Sequence, residues 1–229
     1  MKDRIKLIVT SIFIFLLYFY FSYIVEFIRK FFSLDITNFS FITKVIFIYL
    51  FDLIPFFILV LIYRKSLVED FNIFKNKYKE YADKYIRYWI LGLFLMSILN
   101  VIISAITSSN ISNNEEAIRS ITDILPMYSI LSTCIFAPIT EELAYRKTLN
   151  NIFINKKLSI VMGFLLFGLA HVIGTYETPL DLLYILPYGV FGGIFMYIYT
   201  DSKNIWSTIS IHFIHNTIMM IVYFVSKLV

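Results

Sequence analysis

The sequence predicts an all-α protein, a polytopic bundle of about seven membrane-spanning helices in one domain. Three observations carry this. Hydrophobic residues make up 59% of the 229-residue chain and charged residues 16%, against roughly 45–50% and 25% in soluble domains. Apolar runs of about 20 residues, enough to cross a hydrocarbon core of roughly 30 Å, recur from end to end. Basic residues collect in alternate connections between those runs. With 7 glycines and 5 prolines there is no linker or low-complexity tail. Residues 1–229 therefore read as a single integral membrane domain, with three spans in 1–122 and four in 123–229.

The first run, 5–28, follows a basic start with Lys2, Arg4 and Lys6. It is longer than the apolar core of a signal peptide, and no small-x-small cleavage site follows. Residues 29–40 read as a short loop. The second run, 41–63, contains Pro55, a place for a kink, and Asp52, which reads as lying beside a polar gap or a hydrogen-bonded neighbour. Residues 64–87 are the most charged stretch and read as a cytoplasmic loop or surface helix. Phe71, Phe74, Tyr78, Tyr81 and Tyr85 recur there at helical spacing, as on an amphipathic helix in the interface or a plain solvated one. A third run covers 88–107. The polar stretch 108–119, with Asn110, Asn113, Asn114, Glu115 and Glu116, reads as an outer loop.

The fourth run starts near Ile124, carries Pro126 and Pro138, and ends at Glu141 and Glu142. A proline just ahead of the glutamates frees a backbone carbonyl and bends the helix. A shorter run, 158–173, holds His171. The sixth, 182–200, presents Gly189, Gly192 and Gly193 as a small-residue face that lets another helix approach closely. The last, 205–225, contains His212, His215 and Asn216. Assigning alternate connections to each side puts the N-terminus, 64–87, 146–157 and Lys203 on the heavily basic, cytoplasmic side. Arg29, Lys30, Arg119 and Lys227 fall on the other.

Charge inside an apolar run is costly and by default marks a functional site with an internal partner. Glu142 and Arg146 stand four residues apart on one helical face, acid first, the better order for an ion pair. Glu141 is left unpaired and free to act as a general base; a solvated charge cluster at the membrane boundary is the competing reading. All three histidines lie within apolar runs rather than in loops. Glu141 and His212 count to similar depths, roughly 9–12 Å from the cytoplasmic ends of their spans, and His171 to roughly 20 Å. His212, His215 and Asn216 project within about one third of their helix circumference. Phe167, one turn before His171, is placed to wall the site off from lipid. Each histidine alone also fits a hydrogen-bonded packing role. Together, a carboxylate, imidazoles and an amide are the groups needed to activate water and stabilise the oxyanion of amide hydrolysis.

Other chemistries fare worse. The lone Cys134 excludes an internal disulfide and a cysteine metal cluster, and nothing in the sequence activates it as a nucleophile beside His171. The net charge of +4 is spread over loops without a basic, aromatic-interleaved stripe, so no nucleic-acid partner is expected.

The ordered elements Glu141-Glu142-Leu-Ala-Tyr-Arg146, Phe167-Gly-Leu-Ala-His171 and His212-Phe-Ile-His215-Asn216 resemble the motifs of the CAAX protease and bacteriocin-processing family of intramembrane endopeptidases. The resemblance covers the last four spans. It implies that these form the catalytic core, with Glu141 and His171 activating water, His212 and Asn216 polarising the scissile carbonyl, and Arg146 paired structurally with Glu142. The implied substrate is a peptide or lipidated protein terminus in membrane lipid, and the implied location is a bacterial plasma membrane with a cytoplasmic N-terminus. A metal-free mechanism is favoured and no cofactor is called for. Zinc held by Glu141, His171 and His212 is the alternative, although there is no His-Glu-x-x-His helix. A bacteriocin self-immunity or membrane binding protein acting without proteolysis is the second functional class. A transporter is third and lacks paired broken helices.

Overall fold

The structure, a computed structural model, describes residues 2–35, 38–107, 109 and 111–228. Ser108 and Asn110 of the expected outer loop lie outside the described residues. Among those described, the elements are helical: α1 (Lys2–Phe19), α2 (Phe21–Phe31), α3 (Phe41–Thr107), α4 (Asn113–Ile124), α5 (Pro126–Leu131), α6 (Ala137–Glu142), α7 (Leu149–Ile152), α8 (Lys156–Val172), α9 (Ile185–Ser202) and α10 (Ile205–Ser226). Two π-turns, Ser132–Phe136 and Leu143–Thr148, join α5 to α6 and α6 to α7, and a 3-10 turn, Pro179–Tyr184, leads into α9.

The fold class expected from composition is the one observed. Three helical segments, Phe41–Thr107, Pro179–Ser202 and Ile205–Ser226, are long and apolar enough to cross a membrane, and α1 with α2, bent by 59°, makes a fourth if the pair is one span. The seven expected spans are not seven separate helices. The second and third are fused in α3, the fourth is divided by the π-turns, and α8, the fifth, has only 17 residues. Large apolar side chains on outward faces, such as Phe13, Phe57, Leu61, Phe94, Val101 and Val222, stay exposed, as lipid-facing residues must.

α3 is the main correction to the sequence reading, because 64–87 is helix without a break rather than a loop. A straight helix of 67 residues would measure about 100 Å, and the contacts show that α3 doubles back instead. The Asp70 carbonyl accepts from Asn204 Nδ2 at 2.7 Å, and the Tyr85 hydroxyl donates to Asp201 at 2.9 Å. Both positions therefore lie at the turn between α9 and α10. Toward the other end of the bundle, Asp52 meets Tyr128 and Ser132, and Ile103 packs with Val172 and Tyr184. The helix runs down α10, passes under the α9–α10 turn and climbs α9. Tyr81 and Tyr85 are buried against Phe191, Phe195 and Ile198, so only Phe71 and Tyr78 of the aromatic stripe remain exposed.

The expected outer loop is also partly helical. Ser112 caps α4 by accepting from the Glu115 N–H at 3.2 Å, so 113–124 is helix. α8 and α9 pack as the glycine face anticipated: a Cβ on Gly192 would stand 2.5 Å from the Gly163 carbonyl oxygen, and one on Gly189 would stand 2.8 Å from the Phe164 ring. Gly193 has more room, its nearest neighbour being Phe164 Cβ at 3.5 Å.

The arch puts residue 77 and residue 116 at opposite ends of the bundle. In a Cys134→Ala background, a cysteine replacing Lys77 is expected to be shielded from a membrane-impermeant maleimide in intact cells, and one replacing Glu116 to be labelled. The reverse pattern inverts the orientation drawn from the basic residues.

Candidate active site

The two adjacent glutamates sit on α6 between the π-turns, and the local backbone explains why. The Ala137 N–H bonds back to the Ser132 carbonyl, five residues earlier. Pro138, which would continue that register onto the Thr133 carbonyl, has no N–H. Asn216 Nδ2 donates to this carbonyl instead, at 2.7 Å. Asp52 braces the same turn by accepting from the Tyr128 hydroxyl at 2.7 Å and from Ser132. The polar neighbour expected for Asp52 is thus a π-turn, a widening that occurs often at functional sites.

The expected ion pair is present and fully buried. Arg146 Nε stands 3.0 Å from Glu142 Oε2, and His212 Nδ1 stands 2.9 Å from Glu142 Oε1. A carboxylate only accepts here, so His212 carries a proton on Nδ1. The Arg146 guanidinium lies 4.7 Å from the centre of the Phe167 ring and 5.6 Å from that of Phe195, a cation–π sandwich that partly replaces lost hydration. Its Nη1 and Nη2 have no hydrogen-bond partner among the described residues.

Glu141 is placed differently. Its Oε2 is buried without a hydrogen-bond partner among the described residues and lies 3.8 Å from His212 Nε2. One carboxylate of the pair is therefore committed to Arg146 and His212, while the other faces the free edge of His212.

His171 presents Nδ1 to the Phe167 carbonyl at 2.9 Å, an acceptor, so Nδ1 donates and Nε2 is left open. Phe167 was expected to screen the site from lipid. It is instead 4% exposed and sits at the centre, with the rings of Tyr145, His171 and His212 at 5.3, 4.4 and 6.3 Å.

The last helix splits the three residues read as sharing a face. His212 meets the glutamates, Asn216 meets the π-turn, and His215 packs on Phe191 at 4.4 Å with Nδ1 unpartnered among the described residues. Among the described residues no three His, Cys, Asp or Glu side chains are grouped so as to hold a metal ion. Glu141, His171 and His212 therefore do not assemble as the zinc ligand set considered from sequence.

Fold and site together define a helical membrane protein with a buried Glu-Arg-His centre. Residues 123–218 match the family described as Rce1-like, type II CAAX prenyl endopeptidase Rce1-like, and the resemblance carried by the three motifs is borne out. The chain is 30% identical over 113 residues to "Putative membrane peptidase YdiL" of Bacillus subtilis (strain 168), a match covering 48% of this chain and 43% of that protein. It is 28% identical over 138 residues to "UPF0177 protein YvdC" of Lactococcus lactis subsp. lactis (strain IL1403), covering 59% and 51%. The chain spans about half the length of the curated relatives it matches. No solved structure matches it significantly.

Arg146→Ala would leave Glu142 charged and buried with one partner fewer. Removing half of a buried pair costs about 3–5 kcal/mol, so the variant is expected to show sharply reduced membrane abundance and a lower melting temperature in detergent. Wild-type values for both would mean the pair is not a scaffold.

Proposed function

We propose that the protein is an intramembrane endopeptidase that hydrolyses a peptide bond in a peptide or a lipidated protein terminus. The observation that carries this is the buried Glu141 Oε2 beside His212, without a hydrogen-bond partner among the described residues, next to a Glu142 engaged by Arg146 and His212. The Rce1-like match over the same residues supports it. We place the protein in a bacterial plasma membrane, N-terminus cytoplasmic, as a single domain with its chemistry in 123–229.

In this reading Glu141 takes a proton from a water whose oxygen attacks the scissile carbonyl carbon, and His171, through Nε2, helps to orient that water. The tetrahedral oxyanion is held by the two donors of α10. Nδ1 of His212 is committed to Glu142, so the ring meets the oxyanion through an Nε2 proton. Asn216 spends one amide hydrogen on the Thr133 carbonyl and has one left to donate. The C–N bond then breaks, and the proton on Glu141 passes to the leaving amine. Arg146, through Glu142, keeps His212 in place and touches no substrate.

Membrane peptides compared between cells carrying the wild type and Glu141→Ala test the activity itself. A set of cleavage products that vanishes in the variant is expected. Identical peptides in both strains, with any protective phenotype retained, would leave the binding or immunity reading. For the mechanism, Asn216→Ala is expected to lower turnover roughly 100- to 1000-fold, as for a lost oxyanion donor. Elemental analysis should find its metal content equal to that of the wild type. Stoichiometric zinc in the wild type that disappears in His212→Ala would overturn the metal-free mechanism.

A further inference from the structure

We propose that Tyr188, anchored by the turn at 112–114, is a positioning residue that fixes the ring plane and tautomer of His171. The inference rests on the role given to His171 above. The His171 ring lies between two aromatic rings, Phe167 at 4.4 Å and Tyr188 at 4.6 Å, the latter nearly parallel at 22°. Phe167 comes from the same helix, one turn earlier, so its ring and carbonyl move with His171. Tyr188 comes from α9 and is the face that ties the imidazole to the rest of the protein.

The Tyr188 hydroxyl is held in turn. Asn114 Nδ2 donates to it at 3.2 Å, and the hydroxyl stands 2.7 Å from Ser112 Oγ. The Glu115 N–H also donates to Ser112 Oγ, so each of the two oxygens accepts from a nitrogen and one hydroxyl donates to the other. The same turn grips the segment that follows His171, through Asn113 Nδ2 on the Thr175 carbonyl at 2.9 Å. Two sides of the His171 environment thus hang on residues 112–114, which precede the Rce1-like match at 123–218.

With Nδ1 held on the Phe167 carbonyl, Nε2 is the nitrogen left to act, and its direction is set by the ring plane. Tilting the ring would swing Nε2 away from the water it orients without unfolding the helix. A stack worth as much as an ordinary ring–ring pair predicts that Tyr188→Leu lowers kcat about threefold to tenfold with KM little changed. Ser112→Ala and Tyr188→Phe both remove the hydroxyl contact they share, so each should lower kcat about threefold, and the double variant by less than the two effects combined.

The test uses the full chain in nanodiscs, with a quenched fluorescent peptide ending in a farnesylated Cys-aliphatic-aliphatic-X sequence as the kinetic probe. Nitrogen-15 spectra of histidine-labelled protein provide a readout that needs no substrate. The wild type is expected to show His171 as a single Nδ1–H tautomer. Tyr188→Leu should show a mixture, with Ser112→Ala and Tyr188→Phe shifted the same way by less. Should Tyr188→Leu fail to fold, the two milder variants carry the test. A His171 spectrum identical to wild type in the folded variants overturns the proposal, as does an additive double variant. If the wild type leaves the peptide uncut, the cleavage reading fails for this substrate and the spectra alone decide the positioning role.

Discussion

The Glu142 carboxylate, bridging Arg146 and His212 in the protein interior, is the interaction on which the rest of the site depends. An isolated buried charge is among the most destabilising features a fold can hold, so neither Glu142 nor Arg146 is tolerable at zero exposure without the other. The Phe167 and Phe195 faces offset part of the cost by flanking the guanidinium. This arrangement settles three side chains at once. Arg146 is fixed on its own helix, His212 is brought from α10 with Nδ1 committed to Glu142, and Glu141, one residue away, keeps an Oε2 without a hydrogen-bond partner among the described residues. The division between two chemically identical neighbours, Glu142 on the ion pair and Glu141 off it, is a matter of which one faces the cation.

That division needs backbone geometry that a regular α-helix lacks. The π-turns on either side of α6 change the direction in which successive side chains point, and Pro138 releases the Thr133 carbonyl that Asn216 takes up. Asp52 reaches the same turn from α3, so the first half of the chain, outside the Rce1-like match, helps to orient the last helix. The arch of α3 serves the same end. By lying along both α9 and α10, it holds the turn between them through Asp70 and Tyr85 and sets the depth at which His212 enters the bundle.

Much of this was legible in the residues. Composition and run length gave the helical membrane fold, the i,i+4 spacing gave the Glu142–Arg146 pair, and Asp52 was rightly expected beside a hydrogen-bonding neighbour. The continuity of α3 was also written in the sequence, because no glycine or proline occurs between Pro55 and Gly92. The dense charge of 64–87 outweighed that signal, since charged stretches and loops share a composition. Likewise Ser112-Asn113-Asn114-Glu115 has the serine-x-x-glutamate pattern of a helix start, which a reading of the stretch as polar loop passes over. Other features had no signature. A π-turn differs from an α-turn by one residue of register, and nothing distinguishes Tyr188 from the other tyrosines of a chain that has 17. The splitting of His212, His215 and Asn216 among separate partners depends on what α9 and the π-turn present to α10, which helical spacing alone does not contain.

The central claim is that the two adjacent glutamates do different work, Glu142 as scaffold and Glu141 as base. Thermal melting and turnover measured side by side on Glu141→Gln and Glu142→Gln test it most directly, since each change keeps shape and removes one charge. The account predicts that Glu141→Gln melts like the wild type and cleaves nothing, while Glu142→Gln melts at a markedly lower temperature. A stable, active Glu141→Gln, or a Glu142→Gln as stable as the wild type, would contradict it.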